Sequence, residues 1–136
     1  RKRFILTDSQ GLLLAVWVCA ASVSEKMGAK CLLRYLRRSF NLRELCSQIK
    51  LVWVDGGYRG DDLKYFVQKL WGWCWQVVLR TDDTKGFKVL PRRWVVERTF
   101  AWLLQARRLS KDYEKNRMNS QSMVYLAMTS ILLKRL

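Results

Sequence analysis

The chain has no histidine, one proline and seven glycines among its 136 residues. Without histidine, every metal site that needs an imidazole ligand is excluded. So little proline and glycine leaves no room for a linker or a low-complexity segment, and the length suits one domain, residues 1–136. The four cysteines (Cys19, Cys31, Cys46, Cys74) are spaced by 12, 15 and 28, without a C-x-x-C pair. A structural zinc would need thiolates gathered from all four places, so buried free thiols in a cytoplasmic protein are the expectation. Long apolar runs are also missing. The longest nearly unbroken one, 12–21, has ten residues, about half of the roughly 20 that a spanning helix needs. No charged start followed by an apolar region and a small-residue cleavage site is present, so neither a membrane nor a secretory route is expected.

Acidic residues are scarce. There are 11 against 26 lysines and arginines, for a net charge of +15 and a pI near 10.2. Solubility alone is served by a net charge of about 2 to 8. So large an excess repels itself unless a polyanion neutralises it, which points to nucleic acid. Half the residues are apolar and 12% aromatic, which excludes a disordered tail.

Residues 4–7 and 12–20 are apolar, β-branched runs separated by Asp8-Ser9-Gln10-Gly11, the composition of a hairpin turn. Ser24 reads as the N-cap of a helix over 25–40, with Cys31, Leu32, Tyr35 and Leu36 at helical spacing and Arg34, Arg37 and Arg38 on the other side. A short helix follows at 42–48. Leu51-Val52-Trp53-Val54 is continuously apolar, the mark of a central strand covered on both faces. Asp61 and Asp62 open another helix with a Leu63, Phe66, Val67, Leu70 stripe, and Gly72 stops it. A strand over 74–79 and a polar loop over 81–86 come next. Pro91 starts a helix reaching about 109, with Val96, Phe100 and Leu103 as its buried stripe. The last helix is read over 121–135 on a stripe of Met123, Leu126, Ala127, Ser130, Ile131 and Lys134. This order gives an α/β fold, a mixed sheet flanked by helices.

Two carboxylates stand out. Asp55 ends the 51–54 strand before two glycines, where ligands of open α/β folds bind. A simple Asp-Gly turn competes equally, although the next element looks helical. Glu97 lies one turn into its helix. An ordinary surface ion pair with Arg93, four residues earlier, is the better reading from spacing alone. Arg92 and Arg93 oppose the helix macrodipole there, a conflict that a nearby phosphate would relieve. Arg98, Arg107, Arg108 and Lys111, with Lys115 and Arg117, continue a basic stretch beside Trp102 and Tyr113, suited to DNA binding. A solvated helix face with core tryptophans is the alternative.

The strings Val54-Asp55-Gly56-Gly57-Tyr58-Arg59-Gly60 and Gly86 through Leu103, with the continuation Arg107 to Glu114 and the opening Arg1 to Asp8, closely resemble insertion-sequence transposases of the DDE class. The resemblance covers essentially the whole chain and is to the group often called insertion sequence family five. It implies a ribonuclease-H-like fold in which three acids hold two magnesium ions. By position it makes Asp55 the second acid and Glu97 the third, both catalytic and metal-binding. Arg93 matches the family signature, whereas Leu90 replaces its tyrosine and Leu104 its lysine, with Arg107 and Arg108 as substitutes one turn on. Phe4 stands where relatives usually carry a histidine. Asp8 matches a turn aspartate, so the first acid and its strand are expected upstream of Arg1. The implied partner is double-stranded DNA at insertion-sequence terminal repeats, bound by a homo-oligomer in the cytoplasm of a bacterium, at the nucleoid.

These readings lead to a transposase catalytic domain that is incomplete and inactive alone. Rival readings are a non-catalytic DNA-binding remnant of a transposase gene and a basic RNA-associated module.

Overall fold

The computed structural model describes residues 1–79 and 92–136. The polar loop read at 81–86 and the helix start at Pro91 lie outside the described residues. The chain divides into two compact units, Arg1–Val23 with Val95–Leu136, and Ser24–Trp94.

The first unit begins with the expected hairpin. Strands β1 (Lys2–Thr7) and β2 (Leu13–Cys19) pair antiparallel, with an irregularity between Leu6 and Thr7. The turn holds for local reasons. Asp8 Oδ1 accepts the N–H groups of Gln10 (2.9 Å) and Leu12 (2.8 Å), and Gly11 adopts φ +85°, where an L side chain would be strained. Val16 and Val18 of β2 form the unit's core with Leu103, Leu109, Val124 and Met128.

The second unit is an α/β assembly. Helix α1 (Glu25–Arg38) starts on Ser24, whose hydroxyl accepts the Met27 N–H at 3.3 Å. It ends two residues short of expectation because Ser39 turns extended. The Ser39 carbonyl then opens α2 (Phe40–Leu45), which therefore starts earlier than read. Strand β3 (Leu51–Val54), helix α3 (Asp61–Trp71) and strand β4 (Cys74–Val77) form a β-α-β unit, with β3 and β4 parallel. Gly72 stops α3 in the left-handed region at φ 71°. Its core holds Leu32, Leu33 and Leu36 of α1, Leu63 and Val67 of α3, Val52 of β3 and Trp75 of β4.

Several expectations need correction. The single mixed sheet is replaced, among the described residues, by two sheets of two strands each. Strand β3, expected to be central, has one neighbour among the described residues, and Leu51 is 38% exposed. An unbroken apolar run reports that coverage is wanted, not which segment supplies it. Helix α4 spans Arg93–Leu104 and hands over to a 3₁₀ turn at Arg107–Leu109, short of a helix running to 109. It buries Val95, Thr99 and Leu103 in place of the Val96, Phe100, Leu103 stripe. The Thr99 hydroxyl lies 2.6 Å from the Gly11 carbonyl and 3.0 Å from that of Val95, which makes this polar position burial-competent.

Helix α5 (Arg117–Leu133) begins earlier than the expected 121, because the Asn116 side chain accepts the Met118 N–H at 2.9 Å. It buries Ser120, Gln121, Val124 and Met128, and leaves Leu126 61% exposed. Apolar residues surround this helix, so periodicity could not choose its face. All four cysteines are free as expected, but only Cys19 and Cys46 are buried; Cys31 is half-buried and Cys74 exposed. No described helix is long and apolar enough to cross a membrane.

Candidate functional site

Asp55 stands exposed at the carboxyl end of β3. Its Oδ1 accepts the Gly57 N–H at 3.0 Å and caps a 3₁₀ turn, Gly56–Tyr58. The turn reading of Asp-Gly-Gly is thus correct in part: the aspartate holds the turn with one oxygen, and the turn holds the carboxylate at the sheet end. A Cβ on Gly57 would lie 3.2 Å from that same Oδ1, so glycine keeps the loop tight around the carboxylate.

Sequence reasoning missed three neighbours of Asp55. Tyr58 is half-buried, and its phenol is pushed up to about 12 by burial and then by the charges of Asp55 and Glu25. Glu25, in the first turn of α1, lies across Gly57, and its Ser-Glu start signalled only a helix cap. Trp53, two residues before Asp55, donates its indole N–H to Gln76 Oε1 at 2.9 Å. The guanidinium of Arg92 lies 4.0 Å from the Trp53 ring centroid. An arginine expected at a phosphate is therefore stacked on the strand that carries Asp55. Arg92 also has φ 70°, rare for a residue with a side chain.

The raised phenol gives a measurable signature. Tyr58 keeps its proton above pH 10 in the folded state, whereas an unfolded tyrosine loses it near 10. The stability tied to this group is full below pH 10 and is lost as pH rises through about 12. Tyrosinate absorbance should show a late step near pH 12 that is missing in Tyr58→Phe. A titration curve unchanged by that substitution would contradict the burial.

Glu97 lies exposed on α4, in the other compact unit from Asp55. Arg93 is exposed in the first turn of α4. Arg98 is occupied locally: it donates to the Gln10 carbonyl at 2.5 Å and sits 4.7 Å from the Trp102 centroid, bracing the hairpin turn. Arg108 pairs with Glu114 at 2.8 Å. Arg107 and Lys111 are exposed without an ion-pair partner among the described residues. Leu104, at the signature's lysine position, lines an open groove of about 300 Å³ together with Arg3, Phe100 and Lys111. Arg107 and Arg108 do not line it; the cations that share the groove with Leu104 are Arg1, Arg3 and Lys111.

Residues 1–132 match the family model described as the transposase DDE domain. The chain belongs to that family. No curated protein and no solved structure matches it. Transposase DDE domains act in DNA transposition and recombination and generally use divalent metal ions. In this transposase domain, no three of the described His, Cys, Asp and Glu residues gather into a set that could hold a metal. Magnesium wants near-octahedral oxygen coordination, and a two-ion site needs carboxylates arranged around both ions. The described residues do not make that site by themselves.

Proposed function

We propose that this chain is part of a DNA transposase catalytic domain that cleaves and transfers strands at insertion-sequence ends with magnesium, and that it is inactive alone. The observation that carries the reading is Asp55, exposed at a strand end in a chain that matches the transposase DDE domain. Asp55 serves as the second acid and Glu97 as the third, while Arg93, Arg107, Arg108 and Lys111 neutralise phosphates of the terminal repeats. Arg92 and Arg98 position the elements beside them and reach DNA less directly. The remaining acid comes from sequence outside this chain.

The ribonuclease-H-like form of the fold belongs to the same proposal. Its support is that a parallel two-stranded sheet is too small to stand alone and that β1 and β3 each keep one strand edge without a partner among the described residues. A further strand laid along such an edge would restore the central environment that β3's apolar sequence demands. The absence of a three-acid cluster among the described residues favours one second reading, a DNA-binding remnant without catalysis.

The test is a nicking assay on duplex DNA carrying the element's terminal repeats, with magnesium. The isolated chain is expected to bind and not to nick. Nicking that disappears in Asp55→Ala would show that the chain is catalytically complete. Cleavage by the chain joined to its upstream sequence, lost in Asp55→Ala, supports the enzyme; its absence supports the remnant.

A further inference from the structure

The sequence reading placed DNA contacts on α4 and the segment after it, but a second concentration of positive charge lies on α1. Lys26, Lys30, Arg34 and Arg38 recur at every fourth position, with Arg37 beside them. Residues four apart share one helix face, so these cations form a ridge about 18 Å long. The opposite face is committed to the core through Ala29, Leu32, Leu33 and Leu36. Glu25 is the acid of α1, and across from the ridge Asp62 is shared by Lys26 (3.4 Å) and Lys30 (3.6 Å). Arg34 and Arg37 are exposed and have no acidic partner among the described residues.

What holds these arginines is aromatic. The Arg34 guanidinium lies 5.0 Å from the Phe66 centroid, with Lys30 on the same ring at 5.5 Å, and Arg37 lies 5.4 Å from the centroid of Trp71. Trp71 is itself fixed, stacked on Trp73 at 4.6 Å and donating to the Leu33 carbonyl. A planar guanidinium lying against a ring loses rotamer freedom while its N–H donors remain on its edge, ready for an oxyanion. The ridge thus keeps an excess of positive charge beyond what Asp62 balances, and its arginines are pre-organised.

The geometry points to a second polyanion surface on α1, separate from the α4 segment, that binds the phosphate backbone of duplex DNA. Two features select duplex over other anionic partners. Phe66 and Trp71 are covered by cations and are unavailable to stack on unpaired bases, which disfavours single strands. The apolar face of α1 is buried, so the helix has nothing to insert into a bilayer, which disfavours an anionic membrane.

The inference does not depend on metal chemistry, so its test uses binding alone. The full chain and its Arg34→Gln/Arg37→Gln variant are titrated into a labelled duplex of random sequence, with anisotropy read over a range of salt. Removing two phosphate contacts should make the slope of log affinity against log salt shallower by about 1.8, and weaken binding on the order of tenfold at low salt. Far-UV circular dichroism checks folding, and Lys26→Gln/Arg38→Gln serves as the second variant if the first fails to fold. Unchanged slopes in the folded variants overturn the inference. So does duplex RNA, single-stranded DNA or an anionic vesicle outcompeting duplex DNA at equal salt. Arg107→Gln/Arg108→Gln is run alongside: a slope that responds there and not on α1 removes this surface and leaves the proposed function standing.

Discussion

Leu36→Ala is expected to lower the stability of the Ser24–Trp94 unit by about 2–5 kcal/mol, the cost of a cavity at a fully buried leucine. Leu36 is 0% exposed and belongs to the α1 face that packs on α3, where Leu63 and Val67 are equally buried. The site cannot collapse easily, because Phe66 and Trp71 on α3 are already fixed by cations from α1. A domain commonly has only about 5–15 kcal/mol of stability in total, so the loss would be a large share of it. Urea unfolding followed by tryptophan fluorescence measures the effect, since Trp53, Trp71, Trp73 and Trp75 all lie in this unit. A midpoint shift worth less than about 1 kcal/mol would contradict the packing described, because well-packed leucine sites do not tolerate truncation that well.

Gly11→Val should be comparably damaging in the other unit, for a different reason. At φ +85° a β-branched side chain is strained by about 1–3 kcal/mol. The added Cβ would also meet the Thr99 hydroxyl at 2.8 Å and the Val95 carbonyl at 3.4 Å. Relief requires moving Thr99 off the Gly11 carbonyl, which breaks a buried hydrogen bond and costs about 1–3 kcal/mol more. The two costs together give about 2–6 kcal/mol. Thr99→Ser is the control: it keeps the hydroxyl and should stay within about 1.5 kcal/mol of the parent. If Gly11→Val melts like the parent protein, the turn does not approach α4 as described.

Local signals carried well from sequence to structure. The Asp8–Gly11 turn, the Ser24 cap and the Gly72 stop each depend on a few adjacent residues, and each forms as read. The stripes of α4 and α5 did not carry. Thr99 is buried because a carbonyl 88 positions away receives its hydroxyl, and no window of sequence contains that partner. In α5 the choice of Val124 and Met128 is made by β2, while Leu126 is apolar and exposed. The candidate site divides similarly. The position of Asp55 at a strand end was legible from the apolar run before it. Glu25 beside Gly57 and the Arg92–Trp53 stack were not, since each brings together residues far apart in sequence. The arginines of α1 could be placed opposite its apolar stripe, but not against their rings, because those rings sit on another helix.

One of the two compact units is a continuous stretch of chain and the other is not. On a ribosome, the Ser24–Trp94 stretch can therefore collapse as soon as it has emerged. The β1–β2 hairpin, made before that stretch, must wait for α5 before Val16 and Val18 find Val124 and Met128. Until α5 has emerged, its greasy side stays available to chaperones or to neighbouring nascent chains, and any message broken off before residue 117 would leave it uncovered for good.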